Sequence, residues 1–129
     1  MLRPTHSRYV PGFLLCVFLS SLVVACDRTQ HVSLTAEDFR FVPNLVRVTA
    51  SLPVTLSVYN AGRETHEFDS PVLQYAAKTA IPPHSSDSPG IPLPPGQSIR
   101  ILMAPPPGTY LYICRRKGHA NMTGTLIVE

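Results

Sequence analysis

This sequence lacks the motifs and the long apolar run by which several classes of function are recognised. Its 129 residues suffice for one domain and are too few for two. No glycine-rich phosphate loop, Ser/His/Asp set or helical zinc motif is present. The apolar stretch 13–25, interrupted by Ser20 and Ser21, is shorter than the ~20 residues of a membrane-spanning helix. These absences point to a small domain without a common catalytic motif.

An excess of charge of one sign is also nearly absent once the start of the chain is set aside. The net charge of +3 comes from 11 Lys and Arg against 8 Asp and Glu. Arg3 and Arg8 precede the apolar stretch, and this order predicts a secretory signal that is removed. Nine basic and eight acidic residues then remain, which gives +1. A near-neutral domain argues against nucleic acid as a partner, because nucleic acid requires a basic surface.

The end of the apolar stretch predicts a lipid anchor. Residues 22–26, Leu-Val-Val-Ala-Cys, resemble the bacterial lipoprotein processing box, in which the cysteine is lipidated and becomes the first mature residue. This resemblance implies a signal peptide over 1–25, a mature domain over 26–129 and a lipid on Cys26. Asp27 resembles the signal that retains such proteins at the inner membrane of Gram-negative bacteria, so we expect a periplasmic, membrane-tethered protein. An ordinary cleaved signal, or an uncleaved anchor, is the alternative.

Cysteine is scarce, and its scarcity isolates one thiol. Of the three cysteines, Cys16 would leave with the signal peptide and Cys26 would carry the lipid, so Cys114 stands alone. A lone thiol in an oxidising compartment is reactive unless something occupies it. A bound metal would occupy it, and a Cys26–Cys114 disulfide is the alternative.

Short alternating segments predict an all-β domain. Apolar and polar residues alternate, or β-prone residues cluster, at regular intervals between turn residues, which is typical of an antiparallel sandwich or barrel. Residues 69–97 interrupt this pattern with seven prolines, which cannot donate to a sheet. We predict there an ordered Pro-rich insertion with one short helix over 73–80, anchored by Ile81, Ile91 and Leu93. The predicted strands are 32–36, 39–42, 45–49, 54–58, 99–102, 109–114 and 125–128.

One short loop holds three residues able to bind a metal. Cys114, His119 and Met122 follow the strand 109–114, and His66 follows an earlier strand. One thiolate, two imidazoles and one thioether form the ligand set of a blue-copper electron-transfer site. Zinc is disfavoured because Met is a poor zinc ligand. Taken singly, Cys114 and Met122 could be core residues and His66 a surface residue.

These residues resemble the cupredoxin family of blue, type 1 copper proteins, which includes plastocyanin and azurin. The resemblance covers 30–129 and is carried by 58–62, 66–68, 108–114, Gly118-His119 and 122–128. It implies an antiparallel Greek-key β-sandwich and a single type 1 copper bound by four residues, His66, Cys114, His119 and Met122. Glu67 and Arg115 depart from the family, in which Asn and a small hydroxyl residue often follow the first His and the Cys.

The expected function is electron transfer by a small monomeric carrier and not catalysis. Its partners would be redox proteins such as a cytochrome, an oxidase or a reductase. His119 is the expected electron port, and the neighbouring run Arg115-Arg116-Lys117 predicts a positive rim that attracts an acidic partner. The alternatives are a copper chaperone or buffer that delivers copper to an oxidase or reductase, and a lipoprotein of sandwich fold that binds no metal.

Overall fold

The computed structural model describes residues 28–77 and 90–129. The predicted signal peptide, Cys26 and the centre of the Pro-rich insertion with Ile81 lie outside these residues. Among the described residues, no helix has the length and apolarity needed to cross a membrane. This part of the chain forms the strands β1 (Gln30–Glu37), β2 (Arg40–Val42), β3 (Leu45–Val48), β4 (Val54–Asn60), β5 (His66–Phe68), β6 (Ile91–Leu93), β7 (Ser98–Met103), β8 (Gly108–Ile113) and β9 (Thr123–Val128), with a 3₁₀ helix at Pro71–Tyr75.

The strands form two sheets and a small ribbon. One sheet has the order β2-β1-β4-β7, the other has the order β3-β9-β8, and β5 pairs with β6. The β-sandwich predicted from the sequence is confirmed. Most pairs are antiparallel as expected, and in addition β1 runs parallel to β4 and β3 runs parallel to β9. The crossing of the chain between sheets after β2 brings β3 beside the last strand and produces these parallel pairs.

Side-chain alternation places the core between the sheets. In β4, Val54, Leu56 and Val58 are each at most 2% exposed, whereas the intervening Thr55 and Ser57 are partly exposed. Burying each such apolar side chain stabilises the fold by roughly 1.5–3 kcal/mol. An aromatic cluster, with ring centroids 5.3–6.1 Å apart, fills the region beneath the metal-capable residues and consists of Phe41, Phe68 and Tyr112.

The Pro-rich insertion is ordered at both described ends. The predicted helix over 73–80 is corrected: the helix begins at Pro71 and ends at Tyr75, and Ala76 is already extended. Pro71 fits the first helical turn because its fixed φ suits a helix start. The Ser70 hydroxyl accepts a hydrogen bond from the N–H of Val72, which caps this start. At the other end Ile91 and Leu93 are buried, as predicted, in the unpredicted strand β6.

A backbone bridge joins the end of β5 to the end of β8. The N–H of Asp69 donates to the carbonyl of Ile113 at 3.0 Å, and the N–H of Ile113 donates back at 2.8 Å. The Ser70 hydroxyl also donates to the carbonyl of Leu111. Because β5 begins at His66 and Cys114 follows β8, these bonds bring the two predicted metal-binding segments together.

Candidate metal centre

Strand β8 delivers Cys114 to the interior. Tyr112 and Cys114 are 2% and 5% exposed, whereas Leu111, on the opposite face of the strand, is 52% exposed. The alternation predicted from the sequence is therefore confirmed.

The loop after β8 folds back through its own backbone. Cys114 donates its N–H to the carbonyl of Met122, Met122 donates to His119, and His119 donates to Arg116, at 2.9–3.0 Å. Gly118 has φ of +89°, a left-handed conformation that glycine adopts without steric cost. Short local bonds therefore set the shape of the ligand loop, which we define as residues 114–122.

A buried amide supports the segment before His66. Asn60 is fully buried, and its Nδ2 donates to the carbonyls of Glu64 and Leu93 at 2.8 and 2.7 Å. Its Oδ1 accepts the N–H of Gly62 at 2.8 Å. The bracing role of Asn60 was not predicted from the sequence, because an Asn at the end of a strand is an ordinary turn residue until its partners are known.

Three of the four predicted ligands meet in one buried cluster. The Nδ1 atoms of His66 and His119 lie 3.2 Å apart, and Cys114 Sγ lies 3.5 Å from Nδ1 of His119. One donor atom from each of the three residues lies within 4.8 Å of the others. Donors that bind one ion at ~2.0–2.3 Å lie about 3–4 Å from each other. The spacing and the chemistry of this donor set therefore fit a single transition-metal ion.

Met122 lies next to this cluster and is 1% exposed. Its backbone is hydrogen-bonded to both Cys114 and His119. Its role as the fourth ligand stays a prediction. Cys114 is a free cysteine among the described residues, and its alternative disulfide partner, Cys26, lies outside them.

The protein environment favours a neutral imidazole at His66 and provides one backbone hydrogen-bond donor to the sulfur of Cys114. Burial, and after it the neighbouring His119, lowers the pKa of His66 below its ordinary value of 6.5. A neutral ring keeps a lone pair on one nitrogen for a metal. The N–H of Glu67 points at Cys114 Sγ from 3.4 Å. Such a backbone contact does not depend on which side chain follows His66, so Glu67 can stand where the family often has Asn.

The turn between β1 and β2 contacts both imidazoles and was not anticipated from the sequence. Asp38 Oδ1 lies 3.9 Å from Nε2 of His66. Phe39 has φ of +68°, is 60% exposed and packs edge-on against His119 with ring centroids 5.1 Å apart. Phe39 also lines a surface hollow of about 250 Å³ beside His119. A bulky residue in the left-handed region is uncommon and marks a site of strain.

The basic run after Cys114 divides into two parts. Arg115 forms an ion pair with Asp69, a residue that is 8% exposed at the end of β5. Arg116 and Lys117 are exposed. Arg115 therefore links the ligand loop to the β5 end, while the other two cations face solvent.

Comparisons with known proteins agree with this geometry. A model of the cupredoxin-like domain matches residues 12–128. The fold is similar to reduced auracyanin of Roseiflexus castenholzii, with a TM-score of 0.59 and 20% identity over 78% of this chain and 97% of that chain. It is also similar to auracyanin B, with a TM-score of 0.57 and 26% identity over 78% of this chain and 88% of that chain. A third similar structure is auracyanin A of Chloroflexus aurantiacus, described as a "blue" copper protein. Its TM-score is 0.56 and its identity is 21%, over 78% of this chain and 99% of that chain.

A sequence relative was also found in Rickettsia prowazekii (strain Madrid E). This uncharacterized protein is 35% identical over 85 residues, which make up 65% of this chain and 57% of the relative. This chain therefore matches less than two thirds of that relative's length. Together, the match of the domain model over nearly the whole sequence, the sandwich and the clustered donor set show that the chain belongs to the cupredoxin-like family and that its cofactor is a single type 1 copper.

Proposed function

We propose that this protein is a one-electron carrier in which His66, Cys114 and His119 hold the copper and Met122 is the weak axial ligand. The convergence of three buried donor atoms from two segments of the chain carries the proposal. When bound, copper supplies one-electron cycling between Cu(I) and Cu(II) in a ligand set suited to both states. Blue copper proteins of this fold are typically carriers, and we propose no enzymatic reaction.

The surrounding residues hold the donors still and exclude water. The backbone bonds of the ligand loop fix Cys114 and Met122, and Asn60 fixes the segment before His66. Donors that do not move between the two oxidation states lower the rearrangement that accompanies electron transfer. His119, 9% exposed and flanked by Phe39 at the surface hollow, is the proposed electron port.

Titration of the apo-protein with Cu(II), followed by visible and EPR spectroscopy, tests this function. An intense thiolate-to-copper band at about 600 nm supports the carrier. Tight but colourless binding of Cu(I) would support the chaperone or buffer instead. No binding at all would leave a sandwich lipoprotein without a metal.

The proposed partner is a redox protein, such as a cytochrome, an oxidase or a reductase, with an acidic docking face. Exposed Arg116 and Lys117 lie in the ligand loop near His119 and would raise the encounter rate through long-range attraction. We expect the reduction rate by an acidic partner to fall severalfold with rising ionic strength and with charge reversal, Arg116→Glu or Lys117→Glu. Arg100→Glu is the matched control, because Arg100 is exposed on β7. Equal effects of all three reversals would reject a specific docking face.

The proposed location is the periplasmic face of the inner membrane of a Gram-negative bacterium. It rests on the predicted signal peptide over 1–25 and the lipoprotein-like box ending at Cys26. We further propose that the mature chain, 26–129, is a monomer. Mass spectrometry of the mature N-terminus tests the anchor, and Cys26→Ser should release the protein from the membrane fraction. An unmodified N-terminus other than residue 26 would reject lipidation.

A further inference from the structure

One buried nitrogen at the metal centre has no hydrogen-bond partner in the part of the chain that the structure describes. It is Nε2 of His66, whose side chain is fully buried. If Nδ1 holds the metal, the single hydrogen of the neutral ring must sit on Nε2. Metal-bound histidines almost always donate this hydrogen to a carboxylate, a carbonyl or a water. The geometry therefore calls for an acceptor at Nε2.

The carboxylate of Asp38 lies beside this nitrogen. Its Oδ1 is 3.9 Å from Nε2 of His66 and accepts the N–H of Arg63 at 2.9 Å. The Arg63 side chain pairs with the other oxygen at 3.5 Å but is itself 93% exposed. The carboxylate is thus fixed from the backbone side and has one oxygen turned toward the buried ring.

Gly62 provides the space in which these two groups approach each other. A Cβ at this position would lie 2.4 Å from Asp38 Oδ1 and 2.8 Å from His66 Nε2. Any other residue would therefore separate the carboxylate from the imidazole. A direct hydrogen bond requires the carboxylate to move inward by roughly 1 Å, since a donor–acceptor distance near 3 Å is needed.

We propose that Asp38 is a positioning residue for His66. Its carboxylate accepts the Nε2 hydrogen of His66 and fixes the ring with Nδ1 toward the metal, and its negative charge stabilises Cu(II) over Cu(I). This inference rests on the proposed copper function. A fixed anion near the centre favours the more highly charged oxidation state. The turn after β1 thus adjusts the copper site without supplying a ligand.

Asp38→Asn tests the charge while keeping an oxygen for the Arg63 N–H. We expect the Cu(II) band to persist and the Cu(II)/Cu(I) equilibrium to shift three- to tenfold toward Cu(I), about 30–60 mV at 59 mV per tenfold change. Glu37→Gln is the matched control: it removes the same charge one residue earlier, from a side chain that pairs with Arg40 at the surface. The control should shift the equilibrium by less than half as much.

A second measurement does not depend on electron transfer, and its first part needs only the wild-type protein. In the ¹⁵N–¹H spectrum of the wild-type Cu(I) protein, we expect a His66 Nε2–H resonance that is shifted downfield and protected from solvent exchange. It should move upfield in Asp38→Asn. A wild-type Nε2–H that exchanges as fast as a free imidazole, or an unchanged potential in Asp38→Asn, overturns the role of Asp38 while the blue band stands. A wild-type protein that binds no copper overturns both proposals.

Discussion

The two segments that supply the proposed ligands are held in different ways. The ligand loop is closed by hydrogen bonds among its own backbone groups, and it contributes Cys114, His119 and Met122 within nine residues. His66 is held by side chains from elsewhere: Asn60 reaches the carbonyl of Leu93, 33 residues away, and Asp38 approaches from the turn after β1. One segment is organised locally and the other by tertiary contacts.

This difference assigns distinct roles to the two segments. Changes in the ligand loop should alter the metal chemistry and leave the sandwich stable, because its exposed residues carry little packing. Changes around His66 should alter stability and metal binding together, because the same buried groups serve both. Independent measurement of the visible spectrum and of unfolding separates these outcomes.

Removal of the thiol should have the largest effect and should fall on the metal alone. Cys114→Ala is expected to abolish the visible band completely, because the thiolate is its source. The unfolding free energy of the apo-protein should fall by only about 1 kcal/mol, as for a small buried side chain. Met122→Leu, which nearly conserves volume, is the comparison and should keep a blue band. A band that survives in Cys114→Ala would refute the ligand assignment.

Gly124 tests the packed strands beneath the site. An added Cβ would lie 2.2 Å from Cε2 of Tyr112, whose hydroxyl donates to the carbonyl of Pro43 and holds the ring in place. Gly124→Ala should therefore lower the unfolding free energy by about 3 kcal/mol through overpacking. Gly96→Ala, at φ of +73° with open space around it, should cost only about 1 kcal/mol. Equal losses in denaturant unfolding would show that Tyr112 yields.

Asn60→Ala should affect stability and copper binding together. It leaves the carbonyls of Glu64 and Leu93 and the N–H of Gly62 without their side-chain partner. An unpaired buried polar group is costly, so we expect a loss of about 2 kcal/mol and a weaker affinity for copper. Asn121→Ala in the ligand loop is the control, since Asn121 is exposed. Loss of copper affinity without loss of stability would contradict the coupling proposed for the His66 segment.

The smallest effect appears only at high pH. Burial raises the pKa of Tyr112 to about 12 from its ordinary value of 10. The unfolded chain therefore loses this proton at a lower pH than the folded chain does, and the stability due to neutral Tyr112 declines as the pH rises from 10 to 12. The unfolding free energy of the wild type should fall relative to Tyr112→Phe between pH 9.5 and 11. A constant difference between the two proteins would argue against the raised pKa.

Within the part of the chain that the structure describes, the sequence predicted every strand longer than three residues, and it also predicted the residue types of the metal centre. Local alternation carried these predictions, as at Val54, Leu56 and Val58, because a strand that is buried on one face must alternate. The three-residue strands β5 and β6 were missed, since each is too short to show a period and Pro92 lies in the second. Asp38 and Phe39 were missed because nothing in a two-residue turn reveals which histidine it will meet.

The donor set and the strand pattern were determined by the sequence alone. Cys114, His119 and Met122 must stay close together because a short loop joins them, and a strand of alternating residues must turn Cys114 inward. Only the tertiary structure decided that Nδ1 of His66 comes within 3.2 Å of Nδ1 of His119, and that Asp38 lies on the Nε2 side of the His66 ring. Such distances depend on how β1 pairs with β4 and how β5 bridges to β8, and a slip of one residue in a strand turns every side chain to the opposite face.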